Sequence, residues 1–120
     1  MSEIKLGAIE SRFADIIWQN EPLSTAELVS LCLKELNWKR TTTYTVLKRL
    51  SERGIFKNDN GTVSSLISRD EFYSMQSEKF VEETFDGSLH AFFAAFTARK
   101  QLTPEEVADI RRMIDSFGEE

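Results

Sequence analysis

Residues 40–67 read RTTTYTVLKRLSERGIFKNDNGTVSSLI, and the order of signals inside them decides the fold. A helix is expected to start near Thr41 or Thr42 and to stop at Gly54, a residue suited to a helix C-terminus. At about 100° per residue, Val46, Leu47 and Leu50 gather on one side, with Thr43 among them. The opposite side carries Thr41, Tyr44, Thr45, Lys48 and Arg49, a polar and basic face with no acid on it. Ile55-Phe56-Lys57 then opens a strand. Asn58-Asp59-Asn60-Gly61 contains Asn-Gly, the strongest short hairpin signal. Thr62 to Ile67, rich in β-branched and hydroxyl residues, makes the return strand.

Upstream, Leu6, Ile9, Phe13, Ile16 and Ile17 share one helical face, which Asn20-Glu21-Pro22 brings to an end. Ser24-Thr25-Ala26-Glu27 is a capping box. The helix it starts has Leu28, Cys32 and Leu36 in one row and Val29 and Leu33 in the next, and Asn37-Trp38 breaks it. Three helices followed by a β-hairpin is the order of a winged helix-turn-helix. The expected fold is therefore mostly α with a small β-hairpin wing, the winged-helix domain occupying residues 1–69.

Downstream, Ser68-Arg69-Asp70-Glu71 is a second capping box. A helix runs from it to about Phe85, with Phe72, Tyr73, Phe80 and Thr84 along it, until Asp86-Gly87-Ser88 interrupts. Leu89, Phe92, Phe93 and Phe96 form a second stripe. Thr103-Pro104-Glu105-Glu106 is a cap with proline at the first helical position, and Val107, Ile110, Ile114 and Phe117 form the last stripe. Residues 70–120 are thus three helices in a segment too short to build a stable core alone. Phe80, Leu89, Phe92, Phe93, Phe96, Val107, Ile110, Ile114 and Phe117 either fold back on the N-terminal part or pair with a second chain. The second choice makes 70–120 a helical dimerisation region.

With 120 residues, 41% hydrophobic and 29% charged, the chain has room for one domain and an appendage, and the balance of an ordinary globular protein. One cysteine, Cys32, leaves no internal disulfide and no multi-cysteine metal cluster. One histidine, His90, leaves no His-rich zinc site. No cofactor or metal is expected. No apolar run approaches the ~20 residues of a membrane span, so no membrane insertion is expected. The N-terminus, with Glu3 and Lys5, lacks the hydrophobic stretch of a secretion signal. The expected location is cytoplasmic.

The net charge of −5 argues against nucleic acid only as an average. Residues 34–57 hold seven cations (Lys34, Lys39, Arg40, Lys48, Arg49, Arg53, Lys57) against Glu35 and Glu52, a net +5. The other residues hold eight cations against eighteen acids, a net −10. A basic island centred on one helix is the footprint that matters for DNA.

Catalysis has little support. His90 has no cysteine or serine partner at a recognisable spacing and reads as a surface or packing residue. Cys32 lies in an apolar helical row and reads as a buried, inert thiol. Glu105 and Glu106 sit where a helix dipole favours acids. No Walker loop or dinucleotide glycine pattern is present, and the chain is expected not to be an enzyme. The third helix is more informative. Its hydroxyls suit phosphate and base-edge contacts, and its cations reach phosphate or guanine. A hairpin bearing Lys57 and Asn60 follows at once and suits the adjacent backbone. Two other classes compete. One is a winged helix used only for protein interaction, which the acidic bulk would suit. The other is a regulator sensing a small apolar ligand in the Phe-rich C-terminal part.

In the order and spacing of short motifs, the chain resembles the penicillinase and methicillin-resistance repressor family over nearly its whole length. The matching pieces are Leu6-Gly7, Glu10, Ile17-Trp18, Thr25, Glu27-Leu28 and Trp38. They continue through Thr42, Thr45, Arg49-Leu50 and Gly54 to Phe85-Asp86-Gly87-Ser88-Leu89, Leu102-Thr103 and Glu105-Glu106. The resemblance implies a homodimeric repressor on a palindromic double-stranded DNA operator. It puts base contacts at Thr42 and Thr45 and a further DNA contact at Arg49; Arg40, Thr41, Tyr44 and Lys48 join them by helical projection. It also implies relief of repression by a membrane sensor-protease that cuts an Asn-Phe bond. Two departures stand out. The family's Gly-Arg wing and its aromatic before proline are replaced by Gly61-Thr62 and Leu66. The cleavage pair is Ala95-Phe96, and the Cys-x-Cys pairs of the copper-responsive branch have no counterpart.

Overall fold

In the computed structural model, which describes residues 6–118, nine elements follow one another. They are α1 (Ala8–Asn20), β1 (Leu23–Ser24), α2 (Thr25–Leu36), α3 (Arg40–Glu52), β2 (Phe56–Asp59), β3 (Thr62–Ser65), α4 (Arg69–Phe85), α5 (Leu89–Arg99) and α6 (Pro104–Phe117). Glu3 and Lys5, read above for a leader, lie outside the described residues. The fold is mostly helical with a small antiparallel sheet, a winged helix followed by further helices.

Local chemistry sets the boundaries. The Ser24 hydroxyl accepts from the Glu27 N–H at 3.0 Å while the Glu27 carboxylate accepts from the Ser24 N–H at 2.9 Å, so both halves of the capping box form. Asn37 ends α2 in the left-handed region at φ 56, a conformation asparagine tolerates better than most side chains. That cap turns the chain within three residues, so α3 begins at Arg40, slightly ahead of the expected Thr41 or Thr42. The wing turn has φ 52 at Asn60 and φ 89 at Gly61, the two positive values that a type I′ hairpin requires. Asn58 Oδ1 accepts from the Gly61 N–H at 2.9 Å and stiffens the tip.

The sheet has the order β1-β3-β2. β3 pairs with β2 through Phe56↔Ser65 to Asp59↔Thr62, and with β1 through Leu23↔Val63 and Ser24↔Thr62. β1 has no counterpart in the sequence reading, because two residues are too few to show an alternating pattern. The return strand ends at Ser65, short of the expected Ile67. The wing is tied down at both ends. The Gly61 carbonyl accepts from the Thr25 N–H at 3.0 Å. The Glu21 carboxylate accepts from the Ser65 N–H at 2.8 Å and from its hydroxyl.

The chain forms two compact units, one ending at Glu78 and one starting at Lys79. The first has the core: Phe13, Ile17, Leu28, Cys32, Leu50, Ile55, Phe56, Val63 and Phe72 are fully buried. Trp18 packs on Phe56, Phe72 and Tyr73 with ring centroids 5.5–6.1 Å apart, and its indole N–H donates to the Ile67 carbonyl at 3.0 Å. Two residues read as core lie outside it. Ile9 is in the first turn of α1 and exposed, and Leu6, just ahead of the helix, is buried instead. Leu33 is exposed because it sits about 140° around α2 from Leu28. In the second unit, Phe80, Phe85 and Phe92 make a triangle of edge-on rings with centroids 5.7–6.1 Å apart. No residue of α5 or α6 is buried.

Among the described residues, Thr43 is the polar side chain buried in the first core, and its hydroxyl makes no well-formed hydrogen bond. The Cys32 thiol that faces it is a weak partner. Burial pushes that thiol up, the Thr43 hydroxyl opposes the shift, and the negative charge of Glu35 adds to it. An unsatisfied buried hydroxyl costs free energy that an isosteric methyl does not. Thr43→Val is expected to raise stability by about 1 kcal/mol, read as a higher urea midpoint at unchanged m-value. A lower midpoint would show that the hydroxyl is well bonded.

Candidate nucleic-acid interface

Helix α3 is held by one side. Thr43, Val46, Leu47 and Leu50 point into the core, which leaves Thr41, Thr42, Thr45, Lys48 and Arg49 exposed along the other side. Arg40 starts the helix, with its guanidinium 5.6 Å from the centre of the Tyr44 ring. Tyr44 is half-buried, unlike the other residues projected onto this face. Its hydroxyl is drawn below the usual tyrosine range first by a hydrogen bond with the Thr25 side chain and then by Arg40. It therefore bridges the start of α2 and the start of α3. The Thr45 hydroxyl donates to the Thr41 carbonyl at 2.9 Å, which leaves its oxygen able to accept.

The wing lies beside this helix in the fold, β2 packing along α3. Lys57 on β2 and Asn60 at the turn are exposed, as is Thr62, the first residue of β3. All nine residues expected to touch DNA thus belong to the first unit, and eight are exposed.

One acid intrudes. Read alone, the outward face of α3 has none, yet α1 brings Glu10 to it. Arg49 donates through Nε and Nη2 to Glu10 Oε2 at 3.1 and 2.8 Å, and Arg53 Nη1 lies 3.9 Å from Oε1. Burial acts to raise the Glu10 carboxyl, but the Gly7 N–H, the Arg49 hydrogen bond and the two guanidinium charges outweigh it and hold the group below the usual range. Glu10 is the neighbour of Arg49 that helical projection of α3 alone does not reveal. Its local signal, a glutamate three residues after Gly7 at a helix start, points to capping and says nothing of α3.

In the second unit, the residues expected to pair chains are largely exposed. Phe96 is 48% exposed and Phe117 77%, with Phe80, Leu89, Phe93 and Ile114 between or near these values. Phe92, Val107 and Ile110 are half-buried. Phe92, Phe93, Phe96, Leu102 and Ile110 line an apolar depression of about 440 Å³, with Glu106 and Asp109 at its rim. Ala95 and Phe96 lie in the middle of α5, both exposed. Among the described residues no cluster of His, Cys, Asp and Glu is placed to hold a metal ion, and no helix is long and apolar enough to cross a membrane.

The penicillinase repressor family model matches residues 6–116, both units included. The chain belongs to the penicillinase repressor family. It is 21% identical over 115 residues to the methicillin resistance regulatory protein MecI of Staphylococcus aureus, covering 92% of this chain and 94% of that protein. It is 23% identical over 104 residues to the penicillinase repressor of Bacillus licheniformis, covering 83% and 81%. Members of this penicillinase repressor family are transcriptional repressors rather than enzymes, and the winged helix with its exposed basic helix fits that assignment.

The depressed Glu10 value links the interface to pH. A carboxylate whose value falls on folding stabilises the folded state above the usual carboxylate range and loses that contribution as the pH drops through its folded value. Glu10→Gln is therefore expected to be less stable than the parent at neutral pH, by less than about 1 kcal/mol because Arg49 is half-exposed. The gap should close on acidification. Urea titrations at neutral and acid pH measure it; a gap that persists at the lowest pH would mean that Glu10 acts by packing alone.

Proposed function

We propose that this protein is a sequence-specific DNA-binding repressor that occupies a palindromic operator as a homodimer. The observation that carries the reading is the two-sided burial of α3: Val46, Leu47 and Leu50 inside, Thr41, Thr42, Thr45, Lys48 and Arg49 outside. An α-helix fits the major groove, where hydroxyls and guanidinium groups reach base edges. Thr42 and Thr45 read bases, Arg49 adds a further contact, and Arg40, Thr41, Tyr44 and Lys48 border them. Lys57 and Asn60 on the wing meet the neighbouring backbone. The short, tied-down wing without an arginine leaves most of the readout to α3.

A single such helix covers one half-site, and two-fold operators are read by two-fold dimers. The exposed Phe and Ile stripes of α5 and α6 supply the second surface. Any event that separates the paired C-terminal units, a cut within residues 89–100 among them, would lower affinity to that of a half-site and release the DNA.

Two outcomes are expected. Sedimentation at micromolar concentration should give a species of twice 13.8 kDa, and a monomer that still bound a full palindrome tightly would overturn the dimer. Thr45→Ala and Arg49→Ala should each weaken binding to a selected duplex by ~1–3 kcal/mol with the fold intact. Affinity of the parent should fall steeply with salt. Unchanged affinity in both variants would remove α3 from the interface.

A further inference from the structure

Arg49 is not a free arm. Two of its five N–H donors are engaged by a single oxygen of Glu10, at 3.1 and 2.8 Å. The other Glu10 oxygen accepts from the Gly7 N–H at 3.3 Å and lies 3.9 Å from Arg53 Nη1. The carboxylate is thus held at the start of its own helix and by two arginines, Arg49 within α3 and Arg53 at its C-terminal cap. Its side chain is 20% exposed, whereas that of Arg49 is 52% exposed. One edge of the guanidinium is docked against α1, and three donors are left on a half-exposed group.

An unrestrained arginine loses rotamer freedom when it binds, and one already docked has lost it beforehand. A carboxylate beside it also repels phosphate. Glu10 therefore has opposite effects on the two kinds of DNA binding. Orienting the outer donors of Arg49 favours a base edge in one geometry, while the added negative charge weakens attachment to any backbone.

The geometry points to Glu10 as a positioning residue for Arg49, one that raises discrimination between DNA sequences at the expense of indiscriminate binding. The inference rests on α3 being the reading helix. A mere competitor for Arg49 would behave differently, since its removal would tighten specific and non-specific binding together. A purely structural Glu10 would act whether or not Arg49 were present.

The test uses the full chain and two probes: a duplex enriched by the parent from a random-sequence pool, and a scrambled duplex of equal length and composition. Anisotropy titrations at one salt concentration give the ratio of the two affinities. Glu10→Ala should lower that ratio about fivefold or more, the low end of what one good base contact discriminates, without weakening binding to the scrambled duplex. In an Arg49→Ala background, Glu10→Ala should lower it no further. Glu10→Gln, which keeps an acceptor for the helix start, should give an intermediate ratio with an unchanged circular dichroism spectrum, so a folding defect in the alanine variant is recognised. A ratio that stays or rises on removing Glu10, or a loss undiminished without Arg49, would overturn the inference. If the parent enriches a duplex that Arg49→Ala binds equally well, the inference fails while DNA binding stands. If the parent enriches nothing, both fail.

Discussion

The structure turns on how α3 is anchored. Four consecutive inward positions, Thr43, Val46, Leu47 and Leu50, seat it on the core that α1, α2 and the hairpin build. A helix fixed by one stripe cannot rotate without exposing that stripe, so the polar side is held outward as firmly as the apolar side is held in. The indole of Trp18 packs against the core on Phe56, Phe72 and Tyr73 and donates to the Ile67 carbonyl. It ties the root of the wing to α1 and the start of α4. The wing can then sit beside α3 with a defined reach, pinned at its tip by Thr25 and at its base by Glu21.

Electrostatics follows from the same packing. The chain is acidic overall, but its basic island coincides with α3 and its flanks. The two arginines near the C-terminal end of that helix are partly neutralised by one acid from α1, while Lys48 and the threonines stand clear of it. Arg40 and Lys48 are exposed cations, whereas the charge of Arg49 is offset by that carboxylate.

The second unit inverts the logic of the first. Its rings Phe80, Phe85 and Phe92 meet edge to face within the unit, yet no side chain of α5 or α6 is buried. Much of the apolar side-chain surface of α5 and α6 is exposed, whereas the apolar stripe of α3 is buried. The capping box at Thr103 and Glu106 sets the start of α6 locally, by bonds of 2.9 and 3.1 Å.

Much was legible in the sequence because the signals are local. Ser24 with Glu27, Asn60-Gly61, Asp86-Gly87 and Thr103-Pro104 set helix ends and turns through bonds within a few residues, and period 3.6 separated the two sides of α3. The family, too, was legible in the spacing of short motifs. What the sequence could not yield are the contacts across long separations. The two-residue strand β1 exists only because β3 offers it an edge. Ile9 and Leu33 carry apolar side chains that the packing leaves outside. Tyr44 is half-buried, its hydroxyl engaged by the Thr25 side chain. Above all, the sequence by itself determined that α3 has a basic, hydroxyl-rich side. Only the tertiary structure decided that Glu10, thirty-nine residues from Arg49, shares it. Local bonds are written in neighbouring residues, whereas an ion pair between two helices depends on how those helices pack.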